Sequence, residues 1–375
     1  MALAGIGGFL KERQDRNLLR VLRPIDKRYI DFSSNDYLGL SGHPKIKDAS
    51  REALDRFGAG SCASRLLSGD LEIHHRLEEE VAVFKEKEKA LVFNSGYQAN
   101  VGIISALCSK GDVIFADRQI HASIIDGMLL SGARFFRFNH NDAEGLEAIL
   151  KRQRDKYKEA LIITETIFSM DGDRPPLKDI TRLKERYGCA LMADEAHATG
   201  IFGKRGSGVA EEEGLSGKID LIMGTFGKAL GSFGAYAAAS TEIIDYLINT
   251  CRSFIYSTAL PPAVIAANLA ALDLIREEPE RRRALLENAE YFRGELKGLG
   301  FEIRGSSQIV PLVIGDNERT VRLSEALGEK DYWVLPIREP TVPAGEARLR
   351  FSLTCNHSKN VLKKLIDDIA QIRGI

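Results

Sequence analysis

The sequence predicts an α/β fold: a large domain with a mostly parallel seven-stranded sheet between helices, then a smaller α+β domain. Three observations lead there. Seven short apolar runs lie between residues 89 and 239, and amphipathic stretches separate most of them. Runs of that length and composition suit strands covered on both faces. From about residue 280 the pattern changes to longer strand-like runs with intervening helices, which marks a second domain.

Taken in order, residues 1–28 read as a basic amphipathic helix and its exit. A strand in YIDFSS and a loop in NDYLGLSGHP follow. IKDASREALDRFG (46–58) has helical apolar spacing and stops at Gly58 and Gly60, as helices often do. Another helix is expected over 72–87. The strand candidates are KALVF (89–93), VIFA (113–116), RFFRF (134–138), ALIITE (160–165), ALMAD (190–194), DLIMG (220–224) and AYAAA (235–239). Helices are expected from Gly96 to Cys108, from Ala122 to Ser131, over 142–153 and over 177–187. ALPPAVIAANLAALDLI (259–275) is the longest apolar stretch, but two prolines, an Asn and an Asp make it a buried helix, not a membrane span. A charged helix over 279–298 opens the last part. FEIRG, IVPLVIG, YWVLPIR and RLRFSL read as its strands, and a final helix starts at Lys359. The expected divisions are 1–45, 46–278 and 279–375.

Bulk composition excludes several function classes. The 375 residues are 44% hydrophobic and 28% charged, ordinary for a globular protein. Lys and Arg total 52 against 53 Asp and Glu, so the chain lacks the overall basic balance of a nucleic-acid or membrane-surface binder. The five cysteines are scattered and odd in number, with no C-x-x-C pair. That argues against a disulfide framework and against a zinc site, and it fits a reducing, cytoplasmic setting. The apolar part of MALAGIGGFLKERQDR is too short for a secretory signal.

Asp194-Glu195-Ala196-His197 has two unrelated readings. It spells the box of a class of RNA helicases, and it also occurs at strand ends in pyridoxal phosphate enzymes. A helicase needs a phosphate loop, G-x-x-x-x-G-K-[ST]. The best candidate, MGTFGKALG (223–231), follows Gly227-Lys228 with Ala229, has Ile222 where the first glycine belongs, and lies after the box. Gly58-Ala59-Gly60-Ser61-Cys62-Ala63 formally fits a dinucleotide fingerprint but follows a helix instead of a strand.

The cofactor reading needs a lysine, an acid for the pyridine nitrogen, phosphate donors and a group against the ring face. Asp194 ends an apolar strand, where ligands bind in open α/β sheets. His197 is three residues on, and Lys228 ends the next strand-like run among Gly224, Gly227 and Gly231. NSGYQAN (94–100) offers amides at a helix N terminus, which suits a phosphate.

GTFGKALG, DEAHATG, FSSNDYLGL, SGYQAN, TETIFSMDGD and YSTALPP together resemble the α-oxoamine synthases, fold-type I pyridoxal phosphate enzymes, over nearly the whole chain. The resemblance implies pyridoxal 5′-phosphate as cofactor and a decarboxylative condensation of an amino acid with an acyl thioester. Residues 315–327, Trp333-Val334 and 337–354 are most similar to the branch that joins L-alanine to a pimeloyl group on CoA or acyl carrier protein. Glycine with acetyl-CoA, the pairing of another branch, is the alternative.

Site roles follow from the same resemblance. Lys228 holds the cofactor, Asp194 faces the pyridine nitrogen, and His197 lies near the ring hydroxyl with Ser169 beside it. His121, in DRQIHAS, stacks on the ring. Gly96, Tyr97 and Thr225 contact the phosphate. Tyr256 and Thr258 enter the site from the partner of a homodimer with shared sites. Arg350 meets the amino-acid carboxylate, assisted by Asn35, while Arg20 and Thr341 contact the acyl substrate.

Other polar residues have plainer readings. His74, His75 and His140 are expected at the surface or hydrogen-bonded. Glu165 ranks above Glu195 as a site residue. Arg348 rivals Arg350, and Arg65 either faces the site or braces a dimer.

Overall fold

The computed structural model describes residue 3 and residues 5–372. The chain divides into two units. The larger comprises Asp36–Ser169 and Arg174–Arg283; the smaller gathers the described residues up to Asn35, Met170–Asp173 and the described residues from Ala284 onward.

The larger unit is built on a seven-stranded sheet. Its spatial order is Lys89–Phe93, Ala235–Ala239, Leu221–Thr225, Ala190–Asp194, Ala160–Glu165, Val113–Asp117 and Arg134–Phe138. Ala235–Ala239 runs antiparallel to both neighbours. Every other pairing is parallel. The inner strands are buried on both faces, Ala190 alone being exposed, which is why they read as continuous apolar runs instead of alternating ones. Leu91, Ile114, Ile163, Met192 and Met223 join Ile103, Ile124 and Met128 of the helices Gly96–Leu107 and Ala122–Ser131 in one core.

The expected strands form, with small shifts at their ends. DLIMG begins one residue late as Leu221–Thr225, because Asp220 caps the neighbouring strand: its carboxylate accepts the Leu191 amide at 2.6 Å. The apolar stretch after Ala259 becomes the helix Pro262–Glu277, with Pro262 in its first turn, where a missing N–H costs nothing. No described helix is long and apolar enough to cross a membrane.

In the smaller unit, Pro336–Ile337, Ala347–Ser352 and Ile309–Gly315 form an antiparallel sheet in that order. Ile30–Asp31 pairs in parallel with Tyr332–Trp333. YWVLPIR therefore breaks into two short strands. At the break the backbone bonds to side chains: Val334 O accepts from Ser324 Oγ at 2.6 Å, and Leu335 N donates to Ser33 Oγ at 3.0 Å. FEIRG contributes only an isolated bridge, Ile303 to Leu312. Of residues 1–28, expected as a helix and its exit, Ile6–Asp15 are helical and bury no residue. Two residues after that helix ends, Asn17 is left-handed (φ 54°), a conformation asparagine tolerates better than most. Phe32, Phe292, Phe351 and Tyr332 fill the core beside His357, whose ring stacks on Phe32 at 4.1 Å. Burial lowers the His357 pKa to about 4, so this histidine is a neutral member of the core.

Candidate active site

The site of the larger unit begins at the carboxyl ends of its central strands. Glu165 stands opposite Asp194 in register, and Asp194 opposite Met223. Asp194 is buried and held from two sides: Asn100 Nδ2 donates to Oδ2 at 3.0 Å, and the Ala196 amide donates to Oδ1 at 2.8 Å. The chain turns after Asp194 and brings His197 back to the same end. There His197 Nε2 lies 2.8 Å from Lys228 Nζ, and Nδ1 lies 2.8 Å from the Tyr37 hydroxyl. Thr225 braces the loop that carries Lys228: its Oγ1 donates to Gly234 O at 2.8 Å and accepts the Gly227 amide at 3.1 Å.

Across the sheet end, His121 precedes the helix Ala122–Ser131 and caps it, its Nδ1 accepting the Ser123 amide at 3.2 Å. The His121 amide donates to Glu165 Oε1 at 2.5 Å. Loss of hydration lowers the His121 pKa, Lys228 acts in the same direction, and Asp194 opposes them. A neutral imidazole is the form best able to lie against an aromatic ring without a desolvated charge. Burial, and then the adjacent Asp194 charge, push the Glu165 carboxyl well above the usual carboxylate range.

Gly96 and Tyr97 open a helix of 12 residues whose N-cap, Ser95, accepts the Gln98 amide. The first-turn amides of such a helix have no intrahelical acceptors and suit an anion. Tyr97 bonds to Asp126 and meets the His121 ring edge-on at 6.3 Å. Ser169 is half-buried after the core residue Phe168. Tyr256 and Thr258 are exposed, with Thr258 O accepting from Asn94 Nδ2 at 2.9 Å.

Within the smaller unit, Arg350 Nη1 and Nη2 both donate to Asn35 Oδ1 at 3.3 Å. Its rival has a different task. Arg348 is fully buried and ion-paired with Asp171 and, at 2.7 Å, with Glu346. Arg20 donates to Thr341 Oγ1 at 2.9 Å. Both line a cavity of about 570 Å³ together with Arg23, Trp333 and Arg338. Arg65 is likewise committed, bonding Glu78 through both terminal nitrogens at 2.8 and 2.9 Å.

Glu195, the second letter of the box, turns away from this chemistry. It forms a buried ion pair with Lys85 at 2.7 Å, both side chains being 0% exposed. Its other oxygen accepts the Ala210 amide at 2.8 Å. Gly208 makes room, since a Cβ there would stand 2.1 Å from the carboxylate. A helicase box needs this acid turned toward water and Mg²⁺, so that reading falls. Replacing Lys85 with Met should destabilise the chain by about 3–5 kcal/mol, because it strands a buried carboxylate. Urea unfolding of Lys85→Met beside the double variant Lys85→Met,Glu195→Gln checks this; the double variant should recover much of the loss.

Two neighbours of the site, Tyr37 and Asn100, and one structural partner, Lys85, escape a reading by motif. Tyr37 and Asn100 sit inside the quoted runs FSSNDYLGL and SGYQAN, where their spacing carried no chemical label. Lys85 lies in an ordinary amphipathic helix, and nothing local marks it.

A lysine within hydrogen-bond reach of a histidine, close to a buried carboxylate and a helix N terminus, matches the needs of pyridoxal phosphate: a covalent anchor, a partner for the ring nitrogen and a phosphate seat. On this sheet the class is a fold-type I pyridoxal phosphate-dependent transferase. The family model for aminotransferases of class I and II matches residues 27–369, and the chain belongs to that family. Among its relatives, an 8-amino-7-oxononanoate synthase from Geotalea daltonii is 50% identical over 342 residues, 90% of this chain and 87% of that one. One from Geobacter sulfurreducens is 48% identical over 382 residues, 98% and 97% of the respective chains. A solved serine palmitoyltransferase from S. paucimobilis with bound PLP–myriocin superposes with a TM-score of 0.92 at 30% identity, covering 99% of this chain and 97% of that one.

Proposed function

We propose that the chain condenses L-alanine with a pimeloyl thioester, carried on CoA or acyl carrier protein, to give 8-amino-7-oxononanoate in biotin synthesis. The observation that carries the reading is the Lys228–His197–Asp194 arrangement in a chain about half identical to synthases of that name. A carbon–carbon bond forms between the alanine α-carbon and the acyl carbon. The thiol carrier and CO₂ leave, and a proton takes the carboxylate's place. Bound cofactor supplies the electron sink for the α-carbanion.

The chain's own residues do the rest. Lys228 anchors the cofactor and, once displaced by substrate, serves as the base at the alanine α-carbon. Asp194 keeps the ring nitrogen protonated. His197, with Ser169, bonds the ring oxygen, and His121 lies on the ring face. Gly96, Tyr97 and Thr225 take the phosphate. Arg350, assisted by Asn35, takes the amino-acid carboxylate in a two-pronged geometry that lysine cannot supply. Arg20 and Thr341 take the acyl chain. A steady-state panel of amino acids against acyl thioesters tests the assignment: L-alanine with a pimeloyl thioester should turn over fastest. Preference for glycine with acetyl-CoA would transfer the chain to the alternative branch.

The reading also makes the active form a homodimer with shared sites, Tyr256 and Thr258 reaching the partner's cofactor. Mixing inactive Lys228→Ala chains with inactive Tyr256→Ala,Thr258→Ala chains should restore activity, because one of the two hybrid sites carries neither defect. Absence of recovery after proven subunit exchange would remove the sharing.

A further inference from the structure

Tyr37 belongs to FSSNDYLGL, a run from which only Asn35 received a role. The loop after Asn35 is shaped around this tyrosine. Asp36 accepts the Leu40 amide at 2.9 Å and the Ser41 hydroxyl at 2.6 Å. Gly39 turns the chain at φ 63° and returns its amide to Asp36 O at 3.0 Å. The closed turn lies directly on the loop that carries Lys228: a Cβ at Gly231 would stand 2.3 Å from the Ser41 amide. Tyr37 and Lys228 are thus fixed in one frame, with His197 between them. Tyr37 itself is 0% exposed.

We propose that Tyr37 is a positioning residue: its hydroxyl holds Nδ1 of His197 and so keeps the imidazole neutral in whichever tautomer the partner at Nε2 requires. The inference rests on the roles given above to Lys228 and His197. An ammonium only donates. When Lys228 is charged, Nε2 must accept from it, and Nδ1–H donates to the Tyr37 oxygen. When Lys228 is a neutral amine, Nε2–H can donate to it, and the Tyr37 hydroxyl donates to Nδ1. A phenol serves both states by rotating its hydrogen, because it is donor and acceptor at once. With Lys228 unattached, the imidazole proton can then follow its charge across the two 2.8 Å contacts; once the cofactor holds Lys228, the same hydroxyl keeps Nδ1 while Nε2 turns to the ring oxygen. Phenylalanine fills the same space and supplies neither role.

The test is Tyr37→Phe in the cofactor-loaded enzyme, read by nitrogen NMR of ¹⁵N-histidine-labelled protein, with the His197 signals assigned through His197→Gln. Wild type should show one dominant neutral tautomer for His197. The variant should lose it, the two nitrogens moving toward averaged or protonated positions. Turnover should fall on the order of 10–100-fold, the size of effect that the outer partners of metal-bound histidines have, with KM for L-alanine changing far less. A 3-fluorotyrosine at position 37 keeps the hydroxyl and should restore the tautomer and most of the turnover. An unchanged nitrogen pattern with unchanged turnover in Tyr37→Phe would overturn the role. The nitrogen pattern reports on Tyr37, whereas peptide mapping of the reduced cofactor reports on Lys228, so the two readings fail separately.

Discussion

Lys228→Ala should abolish condensation while leaving the fold intact. Lys228 is only partly buried, at the end of a strand whose packing uses Leu221, Ile222 and Met223 instead. Removing the ammonium therefore leaves no cavity in the core. On the roles proposed for Lys228 the chemical loss is twofold: the covalent anchor disappears, and so does the base at the substrate α-carbon. Proton transfer alone is worth about 10²–10⁴ in rate, and loss of the covalent route adds to it. Turnover should fall by roughly 10⁴ or more, with the melting temperature near wild type when both are measured without cofactor. An activity within tenfold of wild type would assign the anchor elsewhere.

Asp194→Asn is the second large effect. The substitution keeps size and removes charge. The Ala196 amide still finds an acceptor at Oδ1, but the new amide nitrogen faces the Asn100 donor. Asn100 Oδ1 is buried and has no other partner, so a flip of the Asn100 amide offers an acceptor and the fold survives. On the role proposed for Asp194, the ring nitrogen in contrast loses the carboxylate that keeps it protonated. The loss of turnover should reach several powers of ten, each about 1.4 kcal/mol of transition-state stabilisation. Cofactor affinity should fall much less, because the phosphate seat at Gly96 and Thr225 is untouched. Equilibrium dialysis beside CO₂ release from L-alanine and pimeloyl-CoA separates the two effects. Wild-type CO₂ release in the variant would remove the role given to Asp194.

The central strands were legible because burial on both faces writes itself as an unbroken apolar run. KALVF, ALIITE and ALMAD form over the residues expected. Edges were less legible where side chains replace the ladder, as Asp220 does for Leu191. The pairing of Ile30–Asp31 with Tyr332–Trp333 joins opposite ends of the chain, and nothing local specifies it. The same division holds at the site. Asp194, His197 and Lys228 sit in spaced runs whose chemistry is recognisable; in the structure His197 contacts Lys228, and Asp194 ends the strand before them. Arg348 and Arg350 are two letters apart on one strand and could not be ranked from sequence; the carboxylates of Asp171 and Glu346 rank them. Lys85 and Glu195 are separated by 110 positions, so their ion pair exists only in three dimensions.

The residue that carries the cofactor is the point on which the catalytic account turns, and one measurement reads it directly. The purified protein, loaded with pyridoxal phosphate, is reduced with borohydride, digested and mapped by mass spectrometry. The account predicts a phosphopyridoxyl label on the peptide containing Gly227-Lys228-Ala229, and no such label in Lys228→Ala. A stoichiometric label on any other lysine, with Lys228 unmodified, would contradict it.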